Sequence, residues 1–418
     1  MKNSYVSTCL AAAVPLVFAS AAMAQATGTD AAYELTGTSI SGAGTTSKAI
    51  LTAPVDSASA AIKTEAGLYL YPSLFTGYGR NTNINSSSTS PVSSNFVNVA
   101  PTLIGEMKNK GDRYTAIVSL DSTSFENSSQ DNYTNSELTF AGDNYFTARA
   151  RMGWSIGQVG GSDVRGSKQN GSNSVEAWKS TNLDGRFIYG APEASGRLEL
   201  DLGTRGKTYD KYALGDLNQT LIAGRAFYRL GTRTMALTEI RQAKTAYSSS
   251  LATDSNTERQ YYVGVTWEAT AATTGIVKFG TMTKDFDAAG KSGFNGGSWE
   301  ATVRWLPLTY SAFELQTARS TADASGVGNF ELRTSTNLSW NHKWTQSLES
   351  RASLGVLNTE FTGASRTDNA TTAALAIDYA VLRWLKMGVD FATTDNTSNA
   401  ANGAYKRDVL MFTLNASL

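Results

Sequence analysis

The sequence predicts an all-β chain: a transmembrane antiparallel β-barrel of about eighteen strands with both termini periplasmic. Three observations carry this. Apolar and polar side chains alternate from Ala66 to Leu418, the connections are short and long by turns, and tryptophans collect beside the short ones.

Alternation is clearest at Tyr261-Tyr262-Val263-Gly264-Val265-Thr266-Trp267-Glu268. One face reads Tyr261, Val263, Val265, Trp267; the other reads Tyr262, Gly264, Thr266, Glu268. Trp299, Ala301, Val303 and Trp305 stand likewise against Glu300, Thr302 and Arg304, and Leu198, Leu200, Leu202 against Arg197, Glu199, Asp201. The last segment sets Leu410, Phe412, Leu414, Ala416 and Leu418 on one face. Period-two patterning of this kind marks strands with one apolar face.

A soluble sandwich alternates too, so the connections decide. Short ones fall at Lys108–Asp112, Ala141–Asn144, Ala191–Ser195, Gly231–Thr232, Ala271–Thr273, Pro307–Leu308, Asn341–Gln346 and Val381–Arg383. Longer polar ones lie between them, Asn81–Ser93, Val159–Ser174 and Phe361–Asp368 among them, with Val159–Ser174 read as the longest. Outer-membrane barrels place short turns in the periplasm and long loops outside. Trp267, Trp305, Trp340, Trp344 and Trp384 all adjoin short turns, as an interfacial girdle requires, whereas Trp154 and Trp178 read as far from that level.

Lys2, an apolar stretch from Leu10 to Ala21 and Ala22-Met23-Ala24 have the layout of a signal peptide over residues 1–24, cut after Ala24. Residues 25–64 lack periodicity and read as a flexible periplasmic lead, with a plug inside the barrel as the alternative. Residues 65–418 form the barrel. The expected location is the outer membrane of a Gram-negative bacterium.

The 36 basic and 36 acidic residues balance, which argues against a nucleic-acid partner. The one cysteine, Cys9, lies in the segment to be removed, and the one histidine is His342, at a short turn in Trp340-Asn341-His342-Lys343-Trp344. That stock is too small for a thiolate metal site or a histidine-dependent triad, so no enzyme, metal or cofactor is expected. Carboxylate pairs such as Glu199 and Asp201 could serve glycoside chemistry, but nothing else supports it. Gly160-Gly161 and Gly296-Gly297 are not phosphate loops, since no Lys-Ser/Thr follows.

The polar faces are expected to line the lumen. They carry Arg149, Arg151, Asp184, Arg186, Arg197, Glu199 and Asp201 in the first half. Arg225, Arg229, Glu268, Glu300 and Arg304 follow, then Glu331, Arg333, Glu349, Arg351, Asp390 and Arg407. Both signs occur, so mutual ion pairing and a path for a hydrated solute are both expected of one wall. The loop 159–174, with Asp163 and Arg165, either turns inward, where it could meet lumen charges such as Arg149 or Arg151, or stays a solvated external loop.

Tyr71-Pro72-Ser73-Leu74, Asn81-Thr82-Asn83, Trp299-Glu300-Ala301 running to Trp305-Leu306-Pro307-Leu308, Trp340–Trp344, Arg366-Thr367-Asp368 and Tyr405-Lys406-Arg407 give the chain a further character. Together they resemble the β-barrel porin family of bacterial exopolysaccharide biosynthesis loci. The resemblance covers residue 66 to the end and rests on turn, girdle and rim features. It implies an outer-membrane conduit for a secreted polysaccharide. The implied partners are that polymer, outer-membrane lipid, periplasmic components of an export system and the barrel assembly machinery. The alternative is a general or sugar-selective diffusion porin. The terminal Leu418 departs from the usual terminal aromatic.

Overall fold

The computed structural model describes residues 62–418, apart from 66, 164, 166–173, 192–193, 271, 325–326 and 418. The expected cleavage site and the lead up to residue 61 lie outside the described residues.

The described residues are almost entirely strand. After β1 (Ile62–Lys63) come β2 (Leu68–Asn81), β3 (Ser94–Asn109), β4 (Asp112–Phe125), β5 (Tyr133–Tyr145), β6 (Ala150–Asp163) and β7 (Glu176–Tyr189). Then follow β8 (Gly196–Tyr209), β9 (Leu217–Arg229), β10 (Thr234–Tyr247), β11 (Asn256–Thr270), β12 (Thr273–Phe286) and β13 (Phe294–Leu308). The last are β14 (Ser311–Asp323), β15 (Phe330–Lys343), β16 (Leu348–Thr362), β17 (Arg366–Leu382), β18 (Leu385–Ser398) and β19 (Tyr405–Ser417). From β2 onward each strand pairs antiparallel with the next, and β19 closes on β2 from Val409↔Asn81 to Ser417↔Ser73. The result is the expected closed barrel of eighteen strands, with no sheet edge left for the bilayer to desolvate. Below that closure, Ile62 and Lys63 continue along the same edge of β2, opposite Leu70 and Tyr69, so the end of the supposed lead joins the wall.

Connections alternate between a short-turn end and a long-loop end, and β2 starts and β19 finishes at the short-turn end. Between β3 and β4, Lys110 (φ 51°) and Gly111 (φ 102°) form a two-residue hairpin with both central residues left-handed, the form whose twist matches paired strands. Two connections differ from expectation. The β5–β6 turn is 146–149, because Ala141–Tyr145 stays paired to β4 and β6. The β16–β17 loop shrinks to 363–365, because Phe361 and Arg366 pair directly. The first shift brings Trp154 down to the short-turn end, where its indole donates to Asn144 at 3.0 Å.

Side chains on one face of each strand, such as Leu200, Val263, Leu354 and Phe412, are exposed, while the alternate positions point inward. An apolar outer surface on a closed barrel is a lipid-facing surface. At the short-turn end it carries a row of stacked rings: Phe313 lies 5.4 Å from Trp305 and 6.1 Å from Trp340. His342 sits 4.3 Å from the Trp344 ring and joins this aromatic row.

Candidate functional site

With lipid-facing positions apolar, any chemistry lies on the inner face. Its densest feature is a band of charge at mid-height from β7 to β13. Arg186 holds Asp201 with two bonds, of 2.6 and 2.8 Å. Arg225 reaches Asp201 at 2.7 Å and Glu239 at 3.3 Å. Arg241 joins Glu239 at 2.6 Å to Glu300 at 2.9 Å, and Lys278 touches the same two carboxylates at 2.8 and 2.6 Å. Arg197 closes the series on Glu199 at 3.0 Å. Five cations (Arg186, Arg197, Arg225, Arg241, Lys278) thus meet four anions (Glu199, Asp201, Glu239, Glu300), and all but Arg197 are at most 6% exposed. Ions so buried are tolerable only when each is paired on several sides, and here Glu239 alone meets three cations.

Below the band, Phe227, Leu237 and Ile276 form an apolar patch, with the Arg197 guanidinium 4.1 Å over the Phe227 ring. Above it, the Lys207 ammonium lies 4.3 Å over the Trp178 ring and donates to Tyr209 at 2.7 Å. The inner face of β17, nine strands from β8 in either direction round the ring, is built differently. It presents Ala370, Thr372, Ala374 and Ala376, while neighbouring β18 presents Gly388, Ala392 and Thr394. Long, buried charged side chains crowd one wall, whereas on the other Lys386, Asp390 and the Arg351–Asp378 pair stand among short side chains.

By strand parity Asp184, Arg186, Arg197, Glu199, Asp201, Arg225, Glu300, Arg304, Glu331, Arg333, Glu349, Arg351, Asp390 and Arg407 face inward. Arg333 pairs with Glu331 at 2.6 Å and Arg351 with Asp378 at 2.9 Å. Arg149 is the exception: it falls in the 146–149 turn, off any strand face. Arg151 and Arg229 sit at the short-turn rim, where Arg229 bonds the carbonyls of Ala194 and Thr232. The Glu268 side chain lies outside the described residues. Asp163 belongs to β6, where it accepts from the Trp178 indole at 3.1 Å, and Arg165 pairs with Asp131 at 2.8 Å; neither meets Arg149 or Arg151.

The long-loop end narrows inward. Residues 82–93 fold over the inner face, burying Ile84 against Phe96 and Phe125. A larger intrusion comes from β14 and β15. Pairing of β13 with β14 stops at Trp299↔Arg319, although β13 runs on to Phe294 alongside β12, and β14 runs on to Asp323 alongside β15. The outer halves of β14 and β15 therefore part from β13 and bend inward, while β15 stays paired with β16 out to Phe330↔Thr362. Positions whose parity should face lipid instead press on the inner face of β10–β13. Thr321 donates to Glu258; Asp323 accepts from Tyr247 at 2.5 Å and from Lys284 at 3.1 Å. Phe330 packs 5.8 Å from Phe294 and 6.2 Å from Phe286, and Leu332 lies with it against Met282.

Glu239, Arg241, Glu258 and Lys284 escaped the sequence reading. Among the described residues no group of His, Cys, Asp or Glu is arranged to hold a metal ion.

A closed barrel with a lipid-compatible outside and a charged, hydrogen-bonded inside is an outer-membrane porin barrel. The chain belongs to the family described as "Putative beta-barrel porin 2", whose profile matches residues 64–418. Similar solved structures include OccAB3 of Acinetobacter baumannii (7% identity, TM-score 0.49, 84% of this chain and 99% of that one). OccK2 (OpdF) of Pseudomonas aeruginosa in complex with glucuronate gives 10%, 0.47, 84% and 98%; a BenF-like porin of Pseudomonas fluorescens Pf-5 gives 8%, 0.49, 84% and 99%. No curated protein sequence matches.

Proposed function

We propose that this porin is a diffusion channel for small hydrophilic solutes, and that its long-loop end faces outward with both termini in the periplasm after removal of residues 1–24. The observation that carries this reading is the inward bend of the β14–β15 hairpin at Ser320–Asp323 and Phe330–Leu332. A growing polysaccharide needs a bore clear along its whole length, whereas a small solute can pass beside an obstruction. Short side chains such as Ala370, Ala374 and Ala392 leave room for such passage, and the exposed Lys386–Glu349 pair beside them keeps the path hydrated. Export of exopolysaccharide, which the rim motifs implied, draws no support from this lumen.

The test is reconstitution into liposomes and swelling in sugars of increasing length. Permeation should be measurable for monosaccharides and fall away for short oligosaccharides. Absence of swelling with every small solute, together with loss of surface polysaccharide in a deletion strain, would restore the conduit reading.

A further inference from the structure

The hairpin has a second seat available to it. We propose that the outer halves of β14 and β15, Ser320–Ala324 with Phe330–Leu332, form a movable gate that alternates between the inward position and one laid into the wall beside β13. The proposal concerns a movement and can be tested apart from conduction, although its consequence for flux rests on the lumen being a pore.

Four observations converge. First, the register that ends at Trp299↔Arg319 extends without a break. One further step opposes Ser298 to Ser320, and the last opposes Phe294 to Ala324, so the backbone groups to complete the wall already exist on both strands. An antiparallel ladder left unmade beside two strands of matched length is an available state, not a defect.

Second, side chains stand in for the missing ladder. The Ser298 hydroxyl donates to the Arg319 carbonyl at 2.6 Å, and Arg319 Nη1 reaches the Gly297 carbonyl at 3.4 Å, its guanidinium lying 5.7 Å from the Trp299 ring. Backbone polar groups at a seam need partners, and these are replaceable ones.

Third, the face now pressed against the lumen fits either seat. Phe330 and Leu332 have the parity of lipid-facing Leu338, so returning the hairpin to the wall would give them to the membrane or its interface instead of to Met282, Phe286 and Phe294.

Fourth, side-chain contacts to β10–β12 hold the inward seat, Thr321 to Glu258 and Asp323 to Tyr247 and Lys284, whereas the pairing of β15 with β16 can persist in either seat. Glu258 and Lys284 are ion-paired with each other at 3.9 Å and would remain so on the vacated inner face.

Engineered cysteine pairs test this directly, because the only native cysteine is Cys9. Met282→Cys with Leu332→Cys should cross-link in the inward seat, and Gly296→Cys with Ala322→Cys only when the hairpin lies in the wall. Each pair is assembled in the membrane under reducing conditions, oxidised, and checked for heat-modifiable mobility. We expect both pairs to form. Single-channel conductance in planar bilayers should be lower with the first pair locked than with the second, and reduction should bring both to a common value. Tyr247→Phe with Asp323→Asn should raise the cross-linking rate of the Gly296/Ala322 pair about tenfold, the effect of losing a buried hydrogen bond to a charged group. Folded protein in which Gly296/Ala322 never cross-links while Met282/Leu332 does would show a fixed hairpin and overturn the proposal. Cross-linking of both pairs with unchanged conductance would uphold the movement and sink the pore reading instead.

Discussion

Arg186 and Asp201 stand directly opposite each other on β7 and β8, joined by bonds of 2.6 and 2.8 Å, with side chains only 1% and 6% exposed. Such a pair is weak evidence of net stabilisation, but removing one member leaves a buried charge without its best partner. Arg186→Met is therefore expected to destabilise the barrel by about 3–5 kcal/mol in urea unfolding from vesicles. Arg186→Met with Asp201→Leu should recover part of that loss. A single variant no less stable than wild type would mean that water reaches the band freely.

Val303 and Arg304 test the register of the wall. Val303 pairs with exposed Leu315 on the lipid side, and Arg304 opposes Glu314 on the inside. Val303→Arg should cost about 2–4 kcal/mol near the membrane midplane. Arg304→Ser should assemble normally, as judged by heat-modifiable mobility. Equal defects in both would reverse the two faces.

Topology is open to labelling. A cysteine at exposed Ser250, in the 248–255 loop, should react with an impermeant maleimide on intact cells, and one at Lys110, in the β3–β4 turn, should not. Thr321 is 4% exposed and should stay unlabelled while the hairpin is inward. Strong labelling at Lys110 would place the long loops in the periplasm.

The aromatic row predicts a graded loss. Phe313 stacks between Trp305 and Trp340, so Phe313→Ala removes two ring pairs worth about 0.5–1.5 kcal/mol each. Trp344→Ala should cost less, since that ring, 57% exposed, lies at the turn. Unfolding free energies in the opposite order would show that the row contributes little beyond lipid contact.

The barrel was legible because its physics is written locally. Alternation at Tyr261–Glu268 and the Trp-rich short turns both report on single strands and their ends. Arg186, Glu199, Asp201 and Glu300 could be placed inside because they alternate with clear apolar neighbours. Glu239 and Arg241 could not: β10 reads Thr-Met-Ala-Leu-Thr-Glu-Ile-Arg, with apolar residues on both faces, since Met235 and Leu237 belong to an inner apolar patch. The cross-strand pairing of Arg225 with Glu239 carries the missing information, and pairing is a property of two segments together. The inward hairpin was less legible still. The small and polar residues around Thr321 and Asp323 carry no mark of an inward turn, and only their contacts with β10–β12 reveal that the face normally given to lipid is turned against protein.

The contrast between β8 and β17 bears on how such a protein can change. Buried ion pairing is concentrated on β7–β13, where loss of any one partner strands a charge. The short side chains of Ala370, Ala374 and Ala376 hold no comparable network. A lineage could therefore retune what passes by enlarging or recharging residues on β17 and β18 while leaving the β7–β13 network untouched. Permeability and durability become separately inheritable traits, and divergence in cargo need not await compensating repairs to the scaffold.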